Sequence, residues 1–275
     1  MRNKILILVT VFIALIIILF SSGIRNFVSA KSAGVIEDVD AKNMTALLAL
    51  ADSYTLKKDY VKAKEALLKF LESFPDSKAA GKAKKDVETL NIEILFSDVI
   101  TDDSIRYEIK AGDTLSKIAS KFGTTVELVK KSNGIKDDTI FPGRFLKVVN
   151  TKFNILVSKS GNTLELRKPN AEIVKTYVVS TGENLSTPEG TFLIEEKLVS
   201  PLWYKVGAVV EPGSQEYELG SRWLGLSVPG YGIHGTKDPS LIGKNITKGC
   251  VRMRNKDVEE LYTIVPSGTE VTIVE

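Results

Sequence analysis

Gly232-Ile233-His234-Gly235-Thr236 is followed by Thr247-Lys248-Gly249-Cys250-Val251-Arg252-Met253, and these two stretches hold the only histidine and the only cysteine of the 275-residue chain. The pair lies sixteen positions apart, each member beside glycine. Taken singly, a lone cysteine reads as a small buried hydrophobe and a lone histidine as a satisfied core group. Together they read as a catalytic pair. A thiol attacks well only as thiolate, which an imidazole base and a nearby cation such as Arg252 promote. The imidazole needs an acceptor on its other ring nitrogen. No Asp or Glu adjoins His234, but a backbone carbonyl can serve, and glycine at 235 lets it approach. Gly249 frees the backbone ahead of Cys250, so the amides of Gly249 and Cys250 can form an oxyanion site. Arg252 can pair with a substrate carboxylate or hold the loop.

Around these motifs the text is strand-like: 153–157, 164–166, 173–179, 191–194, 223–228 and 270–274 are rich in β-formers, with glycine and proline between them. One helix is predicted over Lys256–Val265, capped by Asn255. This pattern predicts a mostly antiparallel β domain. Phe153 to the C-terminus resembles the L,D-transpeptidase catalytic domain. The resemblance is carried by His234-Gly235-Thr236, by Gly249-Cys250-Val251-Arg252-Met253, by Ser186-Thr187-Pro188-Glu189-Gly190-Thr191-Phe192 and by Leu219-Gly220-Ser221-Arg222-Trp223-Leu224-Gly225-Leu226. It implies a sandwich-like fold over 152–275. It further implies that Cys250 attacks the carbonyl of the third residue of a peptidoglycan tetrapeptide stem and expels D-alanine, with His234 as general base and the Gly235 carbonyl orienting it. Arg252, Thr236, Trp223 and Thr247 are the expected substrate-binding residues. Two departures stand out: Thr247 occupies a common serine position, and Glu216-Tyr217-Glu218 replaces an Asn-Pro pair. The second ends an insert, Ser200 to Tyr217, in a position to cover the cleft.

Upstream, residues 105–150 show a β-α-α-β pattern. Asp113 or Thr114 caps a helix with core face Leu115, Ile118, Ala119 and Phe122, and Thr124 with Glu127 makes a capping box for a helix carrying Val126, Leu128 and Val129. Gly112-Asp113-Thr114-Leu115, Phe122-Gly123, Asn133-Gly134 and Pro142-Gly143, in that order, resemble the LysM module, which implies binding to the glycan strands of peptidoglycan. The acidic stretch Ser97–Ser104 reads as a linker. Residues 38–98 carry apolar residues at three- and four-residue steps, which predicts a helical hairpin plus a third helix over Lys78–Phe96. Leu50, Ala51, Tyr54, Tyr60, Ala63 and Pro75 resemble one tetratricopeptide repeat, with Lys58 where glycine is usual. One repeat cannot bury its own face, so it packs on the third helix or on a protein partner.

Residues 1–30 hold Arg2 and Lys4, then a nearly uninterrupted apolar run from Ile5 to Phe20. That length approaches what spans hydrocarbon as a helix, so a transmembrane anchor is expected, with the rest of the chain outside the cytoplasm. Val28-Ser29-Ala30 would suit a signal peptidase but lies past the run, which leaves a long cleaved signal as the alternative.

Charge and composition prune other functions. Thirty-seven basic against 34 acidic residues is too near balance for a nucleic-acid-binding surface. One cysteine excludes an intramolecular disulfide, and one histidine argues against a multi-His zinc site. No cofactor or metal is expected. The expected protein is a membrane-anchored cell-wall L,D-transpeptidase. A carboxypeptidase using water as acceptor and a non-catalytic wall-binding scaffold are the alternatives; a cysteine endopeptidase of wall peptides is disfavoured because histidine here precedes cysteine.

Overall fold

A computed structural model describes residues 41–205 and 208–275 of the protein, with backbone alone for 204, 205 and 208. The expected N-terminal anchor lies outside the described residues, among which no helix is long and apolar enough to cross a membrane. The chain divides into two compact units at Lys84/Lys85.

The first unit is a helical hairpin: α1 (41–56) turns at Lys57-Lys58-Asp59 into α2 (Tyr60–Ser73), whose first turn is capped by the Asp59 carboxylate accepting from Lys62 N. Ala51, Ala63, Ala66, Leu67 and Phe70 are its buried residues. Lys58 sits at φ 59°, so the chain keeps the left-handed turn that favours glycine while carrying a lysine there.

The second unit begins within α3 (Ala80–Phe96). Then come β1 (Ser104–Glu108), α4 (Leu115–Phe122), α5 (Val126–Ser132) and β2 (Phe145–Val149), a β-α-α-β module in which β1 and β2 pair antiparallel. Of the two proposed caps for α4, Thr114 takes the role, accepting from Lys117 N, while Asp113 accepts from Lys110 N and from the Tyr107 hydroxyl. The expected cap of α5 is corrected by one residue. Thr125, not Thr124, accepts from Leu128 N, and the buried Thr124 hydroxyl has no partner. The reason is tertiary, because the Thr125 hydroxyl also donates to the carbonyl of Thr263 at the end of the last helix.

The catalytic region follows as β3 (Asn154–Ser158), β4 (Thr163–Arg167), β5 (Ile173–Val178), β6 (Thr181–Gly182), β7 (Gly190–Val199), β8 (Trp203–Lys205), β9 (Ala208–Val210), β10 (Arg222–Leu226), β11 (Gly232–His234), β12 (Asn245–Thr247), β13 (Val251–Arg252), α6 (Asn255–Ile264) and β14 (Glu270–Val274). Eight strands form one ladder in the order β13-β11-β10-β7-β14-β3-β4-β5. The ladder is continuous because the ten-residue β7 serves both halves: Gly190–Leu193 pairs with β14, and Ile194 onward with β10. Most pairs are antiparallel; β14 with β3 and β11 with β13 are parallel.

The edge strand β5 is covered rather than left open. Asn91 Nδ2 of α3 donates to Val174 O at 2.9 Å and the Thr176 hydroxyl to Glu88 at 2.8 Å, which occupies an edge that would otherwise invite strand addition. Ile92 and Leu95 of α3, and Leu128 and Val149 of the β-α-α-β module, belong to the same buried cluster as Ile155, Leu164, Leu224, Ile233, Leu261 and Val271 of the catalytic region. The segment read as a linker is tied down as well: Lys168 pairs with Asp103 at 2.7 Å, and the buried Lys147 donates to Ile94 O at 2.5 Å and Ser97 O at 2.8 Å. Burial pushes the Lys147 pKa down to about 8.

Since Leu128 is fully buried in the shared core, Leu128→Ala is expected to cost about 2–5 kcal/mol and to lower one common thermal transition of residues 85–275. Calorimetry that resolves two transitions, of which only a minor one moves, would show the module to be an independent neighbour.

Candidate active site

The face of the sheet that carries the site follows from strand register. Ile233 pairs with Val251 and His234 with Arg252 in the parallel β11–β13 ladder. Side chains alternate along a strand, so Ile233 and Val251 point into the core, where both are buried, and His234, Arg252 and Cys250 fall on the opposite face. The sole thiol and the sole imidazole therefore share one face, with a guanidinium beside them. A bridge fixes the height of β13: Arg252 N donates to Ser180 O and Ser180 N to Arg252 O, both at 2.8 Å.

The imidazole is held by one hydrogen bond and one stacked ring. Nδ1 lies 2.7 Å from the Gly235 carbonyl, so Nδ1 carries the proton and Nε2 is the basic nitrogen. The Trp223 ring stacks on it, with centroids 5.8 Å apart and planes 23° from parallel. Trp223 in turn lies so close to Gly232 and Gly225 that a β-carbon would come within 2.6 Å and 2.8 Å of it. Burial, and next the Arg252 charge, depress the His234 pKa to about 4. His234 is thus neutral at physiological pH and free to accept a proton. Burial raises the Cys250 thiol pKa, opposed by a hydrogen bond from the Gly232 backbone and by Arg252. In the resting arrangement the thiol donates to Gly230 O at 3.7 Å. The pair rests as thiol and neutral imidazole.

The cysteine loop is braced by Thr247. Its hydroxyl donates to Cys250 O at 2.6 Å and accepts from Gly249 N at 3.2 Å. This corrects the expectation that both amides face an oxyanion: the Gly249 N–H is spent on Thr247, which leaves the amide of Cys250. Glycine is required at 249 for another reason. Its φ is 122°, and a β-carbon would stand 2.5 Å from the Tyr231 ring. Thr236 is buried and turned into its own loop, its hydroxyl accepting from Asp238 N at 3.1 Å. Among the four expected substrate-binding residues, then, Trp223 supports the base and Thr236 and Thr247 shape the loops.

Arg252 differs. Its Nε is buried without a hydrogen-bond partner, and Nη2 reaches only Glu218, at 3.3 Å. Glu218 lies just past the insert, whose Val210 and Tyr217 cluster with Leu219 against Trp203 and Trp223, with the Tyr217 hydroxyl donating to Pro201 O at 2.8 Å.

The far wall is the 183–187 turn. Asn184 and Leu185 both have positive φ, 50° and 58°, and the buried Lys159 holds the turn by donating to Leu185 O at 3.0 Å and Thr187 O at 3.3 Å. A β-carbon on Gly182 would meet Gly249 Cα at 3.0 Å, so this turn packs directly behind the cysteine loop. Glu218, Tyr231, Lys159 and Asn255 were not legible as site residues, since none adjoins the catalytic pair in sequence. The expected cap Asn255 is also corrected: it is the first residue of α6, follows a cap at Arg254 that makes no side-chain bond, and turns its amide oxygen inward to Ser221 N and Thr236 N. Among the described residues no cluster of His, Cys, Asp and Glu could hold a metal ion.

Comparison with known proteins agrees with this geometry. Residues 152–273 match the model of the YkuD family, described as the L,D-transpeptidase catalytic domain, and residues 107–149 match the LysM domain. A YkuD protein of Bacillus licheniformis that carries the L,D-transpeptidase name is 37% identical over 177 residues, covering 62% of this chain and 98% of the relative. The YkuD protein of Bacillus subtilis is 36% identical over 176 residues, with the same shares of 62% and 98%. LytE of Bacillus subtilis, which carries the name peptidoglycan endopeptidase, is 56% identical over 45 residues, 16% of this chain and 14% of LytE. With nearly the whole length of two such relatives matched, and with the sole Cys and His brought to one face beside the orienting Gly235 carbonyl, the chain belongs to the YkuD family of L,D-transpeptidases.

Proposed function

We propose that the protein is a cell-wall L,D-transpeptidase that transfers the acyl group of a peptidoglycan tetrapeptide stem through a Cys250 thioester. The observation that carries this reading is the buried imidazole whose Nδ1 is fixed on the Gly235 carbonyl, on the face that bears Cys250. As the sulfur attacks the carbonyl of the third stem residue, its proton passes to Nε2 of His234. The tetrahedral oxyanion is stabilised by the Cys250 amide, and the imidazolium returns the proton to the departing amine of D-alanine. An amine acceptor then attacks the thioester, losing a proton to the same nitrogen. A neutral starting pair suits this cycle, because charge develops only in the transition state and the low pKa makes the imidazolium a ready acid toward the leaving group.

The Arg252 fork supports a carboxylate subsite: one buried nitrogen lacks a partner, and a neighbouring one is held by a half-exposed Glu218 that a substrate carboxylate can replace. The LysM module supports binding to glycan strands. The apolar run Ile5–Phe20 supports membrane attachment with the folded part outside the cytoplasm, and the tetratricopeptide-like hairpin supports a spacer or a protein contact.

Three outcomes are expected. Cys250→Ala abolishes D-alanine release from tetrapeptide stems, and His234→Gln slows single-turnover acylation by about 100- to 10,000-fold at unchanged thermal midpoint near neutral pH. A Cys250→Ala protein that still releases D-alanine would sink the mechanism.

The second outcome concerns pH. Between about pH 6.5 and 4 the unfolded chain binds a proton on His234 that the folded one refuses, so stability falls as pH falls through that window, by up to about 3 kcal/mol, and is flat in this contribution above it. Denaturant titrations of wild type and His234→Gln should diverge there and nowhere above; parallel curves would mean that the imidazole is not held neutral.

Third, Glu218→Gln frees the guanidinium and should lower KM for stems with a free terminal carboxylate by about 2- to 5-fold, whereas Arg252→Lys should raise it. Unchanged KM in both variants would assign Arg252 to the loop alone.

A further inference from the structure

Both loops that frame His234 converge on one atom that the mechanism above does not use. Asn255 Oδ1 accepts from Ser221 N and from Thr236 N, each at 3.1 Å. The approach is so close that a β-carbon on Gly220 or Gly235 would stand 2.3 Å or 2.2 Å from that oxygen. The two glycines are therefore demanded by the asparagine, and Gly220 also sits at φ 66°.

The Thr236 amide belongs to the same peptide unit as the Gly235 carbonyl. That unit is planar and trans, so its N–H and C=O point in opposite directions. Holding the N–H on Asn255 aims the C=O at His234 Nδ1, where it lies 2.7 Å away. One peptide plane is gripped at both ends, by Asn255 on one side and by the imidazole on the other. Donation of the N–H also polarises the carbonyl, which strengthens its hold on the Nδ1 proton. The second bond, to Ser221 N, ties in the strand that carries Trp223, the ring stacked on His234.

We propose that Asn255 is a positioning residue for acyl transfer: through the Gly235–Thr236 peptide it fixes His234 in the tautomer that leaves Nε2 free to take the thiol proton. The proposal rests on the reading of His234 as general base. An asparagine at the start of a helix ordinarily caps that helix. Here the cap position is Arg254, without a side-chain capping bond, and the asparagine's acceptor serves the catalytic loop instead.

The test exploits the single histidine of the chain, whose two ring nitrogens give an unambiguous nitrogen NMR spectrum in the full-length protein. Wild type should show the Nδ1–H tautomer alone. Asn255→Ala should show a mixture of tautomers and a single-turnover acylation rate reduced by about 10- to 100-fold, with KM changed much less. Asn255→Asp keeps both acceptor contacts and should restore the pure tautomer and most of the rate; Asn255→Ser, too short to grip both loops, should not. Should Asn255→Ala fail to fold, the Asp and Ser pair decides by the same two readouts. A folded Asn255→Ala or Asn255→Ser protein with the pure Nδ1–H tautomer and wild-type acylation overturns the positioning role. So does a rate loss in Asn255→Asp as large as in the Ser variant. Failure of the underlying reading looks different: His234→Gln would then acylate at the wild-type rate, whatever the Asn255 variants do.

Discussion

The hydrogen bond between His234 Nδ1 and the Gly235 carbonyl is the constraint around which the site is arranged. An imidazole has one proton to place when neutral, and its chemistry depends on which nitrogen holds it. In the absence of a neighbouring carboxylate, a backbone carbonyl must do the orienting. Unlike a carboxylate, it brings no charge that would raise the imidazole pKa. Burial and the Arg252 charge then keep the ring neutral, and the thiol beside it stays protonated until substrate arrives. The cost of making an ion pair in a buried site is deferred to the step in which the pair is needed.

The rest of the catalytic region can be read as support for that bond. The parallel β11–β13 pairing places Cys250 and His234 on one face. Trp223 covers the ring, and Gly232 and Gly225 make room for Trp223. Thr247 folds the cysteine loop, and Lys159 holds the turn behind it. Each brace is an internal hydrogen bond or a close contact. This is why threonines that look like substrate groups in the sequence turn out to be occupied.

The modules are joined more firmly than their separate sequence signatures suggest. Leu128 turns away from the LysM core of Leu115, Ile118, Val129 and Val148 and enters the catalytic core, with Ile92 and Leu95 of α3. The Thr125 hydroxyl reaches the Thr263 carbonyl. A LysM module fixed to the catalytic region in this way is held in a set geometry, in contrast to a module on a free tether.

What the sequence by itself determined was the chemistry and the local order: two reactive side chains with no rivals, glycines beside them, strand and helix periodicities, and motif residues in a fixed succession. Those are properties of neighbours in the chain. Tertiary structure alone decided which groups are spent and which remain available. The Gly249 amide is used up by Thr247, Thr125 displaces Thr124 as a cap because Thr263 offers it a carbonyl, Arg252 keeps an unpaired nitrogen, and the Asn255 side chain grips two loops nineteen and 34 residues upstream. Hydrogen-bond satisfaction is a condition on the whole buried volume, since every donor removed from water must find an acceptor somewhere in space. No local pattern of residues carries that information, because the partner is chosen by the packing that brings distant segments together.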